Sequence, residues 1–253
     1  SNLFFMPLNT FHVAFASNDA YVPYLAVTLQ SLLSYQVQVE GRQWHVHVLT
    51  DGVSEGNIRM LEEIVGNRAD FQLEVHEVST SSFSELPDVG YSIYTYLRFL
   101  LPTVLSSVER VLYLDVDLLV NADISELFLA PIDTAIAAVP EFWNQKHRKK
   151  WQLPEDTFYF NAGVLLMNLS MWREKDYAKK LIEWCEAHQK QLSFPDQDAL
   201  NVVLQEDVSW LPLRYNVMYN HLERTAYYKK ARFQSEIGEC LYHPAIIHYA
   251  GCA

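Results

Sequence analysis

Two aspartates stand two residues apart at the end of an apolar segment. Residues 110–120 read Arg-Val-Leu-Tyr-Leu-Asp-Val-Asp-Leu-Leu-Val, so Asp115 and Asp117 follow a run with the character of a buried strand. Ionised carboxylates are rarely buried without a partner. Side chains at i and i+2 of a strand point to the same face, and a small bend lets both converge on one ion. The pair predicts a site for a hard divalent cation such as Mg²⁺ or Mn²⁺.

The spacing of these two aspartates has a second interpretation. If the strand ends at Leu114, both carboxylates are solvated turn residues. The chain also contains Asp196-Gln197-Asp198, which shows how readily the spacing arises. The choice between a metal site and a turn therefore depends on the elements around the pair.

Composition limits the class of protein. The chain has 253 residues, 50% of them hydrophobic, which is enough for a large globular core. A net charge of −12 argues against general binding of nucleic acid. No apolar run approaches the roughly 18 residues of a membrane span, residues 3–8 do not form a signal peptide, and the three cysteines fit no disulfide or zinc pattern. We expect a cytoplasmic protein with reduced thiols, working in solution or at the inner face of the membrane.

Strand-like and helix-like segments alternate along the chain, which is typical of an α/β protein. Strands are predicted at 12–16, 44–49, 71–78, 111–114, 135–139, 160–167 and 245–249. Helices are predicted at 21–35, after a cap at Ser54 with Ile58, Leu61 and Ile64 inward, at 92–102, at 170–189 and at 199–204. We therefore expect a mostly parallel central sheet with helices on both faces and ligands at the carboxyl ends of its strands.

The turn from the first strand to the first helix lies at such an end. It reads Phe15-Ala16-Ser17-Asn18-Asp19-Ala20-Tyr21. Asn18 and Asp19 have the chemistry to bind a base or a ribose, and Tyr21 could stack on a planar ring. An ordinary turn capped by Asn18 or Asp19 is the alternative.

Six segments in order resemble glycosyltransferase family eight. They are the turn at residues 15–21, Tyr94-Thr95-Tyr96-Leu97-Arg98, Tyr113-Leu114-Asp115-Val116-Asp117, Phe160-Asn161-Ala162-Gly163-Val164, Asp196-Gln197-Asp198 and His248-Tyr249-Ala250-Gly251. The resemblance spans nearly the whole chain and is nearest to bacterial lipooligosaccharide α-galactosyltransferases, with glycogenin-type glucosyltransferases more distant. It implies a GT-A, Rossmann-like nucleotide-diphospho-sugar transferase fold. Residues 1–253 would be one domain, with a nucleotide-binding half at about 10–120 and an acceptor-side half at about 121–253.

The resemblance also implies an activity. The protein would be a retaining, metal-dependent hexosyltransferase that uses UDP-galactose or UDP-glucose. Its acceptor would be a hydroxyl of a glycan or lipid-linked molecule such as the lipopolysaccharide core, which places it in lipopolysaccharide biosynthesis. Asp115, Asp117 and His248 would hold Mn²⁺ or Mg²⁺ against the diphosphate, and the imidazole favours Mn²⁺. From the residues alone, His248 is predicted as a strand histidine, and so are His45 and His47, on which nothing in the sequence converges.

The resemblance implies a large donor site. Its predicted members are Ala16, Asn18, Asp19, Tyr21, Arg98, Asp115, Val116, Asp117, Asn161, Ala162, Gly163, Asp196, Gln197, His248 and Gly251. Arg98 would pair with a carboxylate or with the sugar, the alternative being a surface arginine on a helix. Gly163 would let the backbone approach the sugar, or would mark a bulge.

Three residues are predicted to be catalytic. Gln197 would lie nearest the anomeric carbon, Asp196 would bind sugar hydroxyls, and Glu141 would be a spare carboxylate near the acceptor. Asp196 and Gln197 also read as the start of the helix at 199–204. Retention needs a covalent intermediate or attack on the same face as the leaving phosphate, and the poor nucleophilicity of Gln197 favours same-face attack. The basic run at residues 147–151 is predicted as a solvated loop, with an acceptor-side loop as the alternative.

The sequence also departs from the family pattern. Family members commonly carry Asp at the position of Asn18 and Asn at that of Ala20, so contacts to the uracil and ribose should differ. They continue into a Lys-Pro-Trp segment and a basic tail, so membrane contact is expected only through residues beyond 253. A nucleotide-sugar-binding protein without turnover is one alternative function. A sugar-nucleotidyltransferase is another, but no Gly-rich basic loop follows the first strand.

Overall fold

The computed structural model describes residues 9–86, 93–141, 145–218 and 231–250. The strands are β1 (Thr10–Ala16), β2 (Gln43–Thr50), β3 (Phe71–Glu77), β4 (Arg110–Leu114), β5 (Leu118–Val120), β6 (Ile136–Pro140), β7 (Phe160–Asn168), β8 (Val208–Trp210), β9 (Val217–Met218) and β10 (Ile246–His248). The α-helices are α1 (Val22–Tyr35), α2 (Glu55–Gly66), α3 (Leu101–Val104), α4 (Glu126–Leu129), α5 (Gln145–Lys150), α6 (Leu169–Glu174), α7 (Tyr177–His188), α8 (Pro195–Val203) and α9 (Ala231–Tyr242). Short 3-10 helices span Asp19–Tyr21, Thr80–Phe83, Ile93–Leu100, Gln189–Gln191 and Leu213–Tyr215.

Seven strands form the central sheet, in the order β3-β2-β1-β4-β7-β6-β8. Strands β1 to β4 are parallel to one another, β7 is antiparallel to both of its neighbours, and β8 is parallel to β6. The predicted mostly parallel α/β sheet is confirmed. A smaller sheet, in the order β5-β10-β9, places the end of β10 beside the segment that follows β4.

Each face of the central sheet is covered by its own apolar layer, as its alternating side chains require. On one face Phe11, Val13 and Phe15 of β1 pack with α1 and α2. On the other, Ala14 and Ala16 pack with the 3-10 helix Ile93–Leu100 and with α6, α7 and α8. No helix in the described part of the chain is long and apolar enough to cross a membrane.

The first two predicted helices are confirmed. Pro23 lies in the first turn of α1, where its missing N–H costs nothing. Ser54 caps α2, because its hydroxyl accepts a hydrogen bond from the N–H of Asn57. Leu61 is buried, while Ile58 and Ile64 are half-buried.

Three predicted helices have different bounds. The single helix predicted at 170–189 is wrong, because Asp176 has a left-handed φ of 55° and separates α6 from α7. The segment predicted at 92–102 is a 3-10 helix followed by the short α3, a distinction that periodicity over so few turns does not make. Helix α8 begins at Pro195, so Asp196 and Gln197 form its first turn.

Thr28 joins α1 to the segment that follows Asp115. Its side chain is fully buried, and its Oγ1 lies 2.7 Å from the carbonyl oxygens of both Val116 and Leu118. Thr28→Val keeps the shape but removes the only donor in that side chain. We expect the free energy of unfolding to fall by about 1–3 kcal/mol in urea titrations. Thr103→Val, at an exposed position of α3, is the control and should have little effect; equal losses in the two variants would contradict the role of Thr28.

Histidines from three strands meet on one face of the central sheet. Nδ1 of His12 lies 2.9 Å from Nε2 of His47, and Nδ1 of His47 lies 3.0 Å from Nε2 of His76. One nitrogen each of His12, His45 and His47 lies within 4.8 Å of the others. The prediction that nothing converges on His45 and His47 is therefore wrong, because the register of β1 on β2 places His12 opposite His45.

This arrangement predicts sensitivity to acid. Burial, reinforced by the charge of His45, lowers the pKa of His12 to about 4 and that of His47 to about 3. Both imidazoles therefore stay neutral in the folded protein but gain a proton on unfolding below the ordinary pKa of about 6.5. Above that pH the two histidines do not affect the free energy of unfolding. As the pH falls from there towards 4, the unfolded chain binds protons that the folded protein does not, so the free energy of unfolding decreases progressively. With EDTA present, we expect a lower Tm at pH 5 than at pH 7, and a shallower fall in His12→Asn; an unchanged slope in that variant would contradict this origin.

Candidate active site

The three predicted metal ligands meet where β4 ends. Asp115 and Asp117 lie between β4 and β5, and β10 pairs with β5 so that His248 is opposite Leu118. His248 Nε2 is 3.2 Å from Asp117 Oδ1 and 3.9 Å from Asp115 Oδ2. Neighbouring ligands of one Mg²⁺-sized ion lie about 3 Å apart. Two carboxylates and an imidazole at these separations fit a divalent cation such as Mn²⁺ or Mg²⁺.

Gly163 of β7 makes this close approach possible. A Cβ built on Gly163 would lie 2.2 Å from His248 Cε1 and 2.8 Å from Asp115 Oδ2. Real Cβ atoms are essentially never that close to other heavy atoms. The missing side chain therefore makes room for two metal-ligand candidates. The pairing of β7 with β6 is also irregular here, because it passes from Ala138–Leu165 to Pro140–Phe160 and leaves Gly163 in the bulged stretch of β7, as its alternative interpretation predicts.

Arg98 lies beneath the site, with 3% of its surface exposed. Its Nη2 contacts Asp115 Oδ1 at 3.0 Å and Asp196 Oδ2 at 3.3 Å, and its Nη1 donates to the carbonyl of Ala162 at 2.5 Å. The guanidinium also stacks 4.3 Å from the centre of the Tyr113 ring. Arg98 thus pairs with carboxylates, as one of its two predicted roles requires, and the surface alternative is wrong.

Burial and charge act together on this group. Burial lowers the pKa of Arg98, but the charges of Asp196 and Asp115 outweigh it and hold the pKa above its ordinary value. Burial raises the pKa of Asp196, and the charge of Arg98 opposes this without cancelling it. The Arg98 cation therefore compensates two acidic groups at once, and it orients Asp115 from behind.

A chain of side-chain amides runs from His248 to Glu141. His248 Nδ1 lies 2.9 Å from Asn216 Oδ1, and Asn216 Nδ2 donates to Asn161 Oδ1 at 2.9 Å. Asn161 Nδ2 donates to Gln197 Oε1 at 3.2 Å, and Gln197 Nε2 donates to Glu141 Oε2 at 3.1 Å. All five side chains are at most 8% exposed. The predicted metal and catalytic residues are thus one connected network.

Backbone donors set the direction of these hydrogen bonds. The N–H of Gly163 donates to Asn161 Oδ1, and the N–H of Ala162 donates to Gln197 Oε1. Asn216 must then turn its NH₂ towards Asn161 and its oxygen towards His248. His248 consequently carries a proton on Nδ1, and its Nε2 faces the two aspartates and is available to a cation.

The two aspartates of the second pair, Asp196 and Asp198, have different roles. Asp198 is fully buried, accepts from Tyr159 Oη at 2.6 Å, and also accepts from the N–H groups of Ser193 and Phe194. It anchors the entry into α8, while Asp196, two residues earlier, faces Arg98. Asp196-Gln197-Asp198 is therefore both a helix start and part of the site.

The basic run at residues 147–151 is largely helical, so the prediction of a loop is wrong, although Lys149 and Lys150 are exposed to solvent as predicted. Residues 147–150 belong to α5. His147 is 5% exposed, its ring lies 5.4 Å from that of Tyr159, and its Nδ1 is 3.7 Å from Asp198 Oδ1. His147 therefore packs against an aromatic and an acidic side chain, and the charge of the run does not predict this burial.

The turn after β1 is capped, as its alternative interpretation predicts. Asn18 Oδ1 accepts from the N–H of Tyr21, and Asp19 Oδ1 accepts from the N–H of Ser54 at 2.7 Å. The Ser54 hydrogen bond is the main reason that the pKa of Asp19 is lowered. Tyr21 is 48% exposed, and its ring lies 5.9 Å from that of Tyr24.

The other predicted donor-site residues lie at the same edge of the sheet or outside the described residues. Ala16 and Ala162 are buried at the ends of their strands, and Val116 is half-buried with its carbonyl held by Thr28. Gly251 lies outside the described residues.

Two important residues were missed. Tyr113 donates to Asp115 Oδ1 at 3.0 Å, and its i, i+2 spacing from Asp115 would have revealed it. Asn216 follows a short 3-10 helix and has no local motif, so only the tertiary structure reveals it.

Comparison with known proteins defines the class. The galactosyltransferase LgtC, in a crystal structure with donor and acceptor sugar analogues, superposes with a TM-score of 0.83 at 27% identity, over 95% of this chain and 87% of that one. General stress protein A of Bacillus subtilis is 26% identical over 95% of this chain and 85% of its own length. A lipopolysaccharide 1,2-glucosyltransferase of Escherichia coli is 24% identical over 95% of this chain and 71% of its own length. The chain has the GT-A fold and is a glycosyltransferase of the hexosyltransferase class.

The family follows from a match over most of the sequence. The model of glycosyl transferase family 8 matches residues 12–253. The chain therefore belongs to glycosyl transferase family 8, as its sequence motifs predicted.

Proposed function

We propose that the protein transfers a hexose from UDP-galactose or UDP-glucose to a hydroxyl of a glycan acceptor, with retention of anomeric configuration. The observation that carries the proposal is the network that joins the Asp115, Asp117 and His248 cluster to Gln197 and Glu141. The network would bring a divalent cation and polar groups suited to a sugar to one edge of the sheet. The names of the relatives, a galactosyltransferase and a lipopolysaccharide glucosyltransferase, support a hexose donor and a lipopolysaccharide core acceptor.

Asp115, Asp117 and His248 would hold the divalent ion, with Mn²⁺ favoured over Mg²⁺. When bound, the ion would neutralise negative charge on the departing diphosphate. Arg98 would keep Asp115 in place, since its Nη2 contacts both Asp115 and Asp196. Asn18, Asp19 and Tyr21 would bind the nucleoside, with Tyr21 stacking on the uracil.

Same-face attack is the mechanism that we favour. Asp196 is paired with Arg98, and Glu141 accepts a hydrogen bond from Gln197, so both carboxylates are weakened as nucleophiles. The amide of Gln197 is held at both ends and is itself a poor nucleophile. Gln197 and Asp196 would orient the hexose, while Glu141 would lie nearest the acceptor.

We also propose that residues 1–253 act as one GT-A domain with a nucleotide-binding half and an acceptor-side half. Support comes from contacts across residue 120, since Arg98 contacts Asp196 and Asp117 contacts His248. Work in the cytoplasm, membrane contact through residues beyond 253, and the acceptor itself stay predictions.

Calorimetric titration of UDP tests the donor assignment. With Mn²⁺ present we expect one UDP per chain, and with EDTA or in Asp117→Ala we expect binding at least tenfold weaker. Asp133→Ala, which removes an exposed aspartate far from the network in sequence, is the control and should bind as wild type. Failure of the folded wild type to bind UDP under any condition would overturn the proposal.

A second assay separates catalysis from mere binding. Release of UDP from UDP-galactose and UDP-glucose would be followed with Mn²⁺, with and without a glycan acceptor. We expect release to depend on Asp117 and to be faster for one hexose. Tight UDP binding with no release from any UDP-sugar would favour the alternative function, a nucleotide-sugar-binding protein without turnover.

A further inference from the structure

A cluster of histidines lies on β1, β2 and β3, apart from the residues assigned to the active site. It consists of His12, His45, His47, His76 and Glu74, called here the strand-histidine cluster. Its members come from three neighbouring parallel strands, and the strand registers align His12 with His45 and His47 with Glu74. Because these five side chains share one face of the sheet, they form a dense group of nitrogen and oxygen ligands.

We propose that His12, His45 and His47 bind a divalent transition-metal ion such as Zn²⁺, Ni²⁺ or Cu²⁺. One ring nitrogen of each lies within 4.8 Å of one nitrogen of the other two. Two nitrogens bound to one ion at about 2.0–2.1 Å are separated by about 2.9–3.4 Å, depending on the angle. His12 Nδ1 and His47 Nε2, at 2.9 Å, already have that separation.

The partners of these histidines support the proposal. His47 directs Nε2 at His12, while its Nδ1 faces His76 Nε2 at 3.0 Å and Glu74 Oε2 at 3.8 Å. His45 Nε2 lies 3.3 Å from the same Glu74 oxygen. Metal-bound histidines usually direct their second nitrogen at a carboxylate or another acceptor, which fixes the ring and strengthens the ligand. Glu74 and His76 are placed to do this.

The chemistry of the cluster selects the ion. Three imidazoles suit Zn²⁺, Ni²⁺ and Cu²⁺, whereas Mg²⁺ prefers oxygen ligands. The low pKa values of His12 and His47 mean that both rings are neutral at neutral pH, which is the form that binds metal. The site is reachable from solvent, since the side chain of His45 is 27% exposed and that of Glu74 is 51% exposed. A bound ion would cross-link β1 to β2.

The test uses zinc calorimetry on protein without a polyhistidine tag. Because Zn²⁺ can also bind at the candidate active site, all measurements are made in Asp117→Ala. We expect one Zn²⁺ per chain in this variant. Adding His45→Gln should weaken Zn²⁺ binding at least about tenfold, because even removal of a residue that only hydrogen-bonds to a metal ligand has an effect of that size. Adding His243→Gln, which changes an exposed histidine elsewhere, should leave the affinity unchanged.

Two further measurements protect the test. His12→Asn on the neighbouring strand should weaken Zn²⁺ binding as His45→Gln does, so that misfolding of one variant does not decide the outcome. Excess Zn²⁺ should raise the Tm of Asp117→Ala and of its His243→Gln derivative, but not that of the derivatives with His45→Gln or His12→Asn. Absence of Zn²⁺ binding in Asp117→Ala, or equal affinity in Asp117→Ala and in its His45→Gln derivative, would overturn the proposal. The cluster would then be a hydrogen-bonded ladder of neutral histidines.

Discussion

Gly163→Ala is expected to lower turnover of the UDP-sugar by about 100-fold or more. The added methyl would lie 2.2 Å from His248 Cε1 and 2.8 Å from Asp115 Oδ2, so both side chains must move. A displacement of about 1 Å at a reacting centre costs about two orders of magnitude in rate. Initial rates of UDP release at saturating Mn²⁺, together with the Mn²⁺ concentration that gives half-maximal rate, measure the effect.

Gly238→Ala is the matched control for this substitution. Gly238 lies in α9, is exposed, and a Cβ there would meet nothing within 4 Å. The control should keep wild-type activity and, through better helix propensity, equal or greater stability. If Gly163→Ala is folded and has the wild-type Mn²⁺ dependence and rate, the close packing of Gly163 against the cation site is not important for catalysis.

Asn216→Leu is expected to raise the Mn²⁺ concentration that gives half-maximal activity by about 10–100-fold. This is the usual effect of removing a residue that hydrogen-bonds to a metal ligand. Asn216 is fully buried and holds both His248 Nδ1 and Asn161 Oδ1. Leucine has a similar volume but leaves the histidine free to rotate or to change tautomer. The unpaired buried groups should also cost about 1–3 kcal/mol of stability. Mn²⁺ titration of the rate and urea unfolding would measure the two effects separately.

Asn216→Asp tells a positioning role from a purely structural one. Its carboxylate can still accept from His248 Nδ1–H, but it cannot donate to Asn161 Oδ1. We therefore expect Mn²⁺ activation near that of wild type together with a lower kcat, because the connection to Gln197 is broken. If both variants lose stability equally while the Mn²⁺ dependence of each is unchanged, Asn216 supports the fold and does not orient the ligand.

Much of this protein could be predicted from local patterns. Alternating apolar residues mark the strands and i, i+3, i+4 spacing marks α1, because burial of one face imposes those periods on the sequence. Asp115 and Asp117 are visible for a related reason, since charged residues at the end of an apolar strand need a partner. The break between α6 and α7 was not predicted, because it depends on the left-handed conformation of a single residue, Asp176, which does not change the spacing of apolar residues.

The tertiary structure decided which distant residues meet. His248 reaches Asp117 only because β10 pairs with β5. Asn216 reaches His248 only because β9, which directly follows Asn216, pairs with β10. The strand-histidine cluster depends in the same way on the registers of β1, β2 and β3. Strand order and register are set by the packing of the whole chain, so a local pattern predicts the elements and their ligand-bearing residues but not the partners that those residues find.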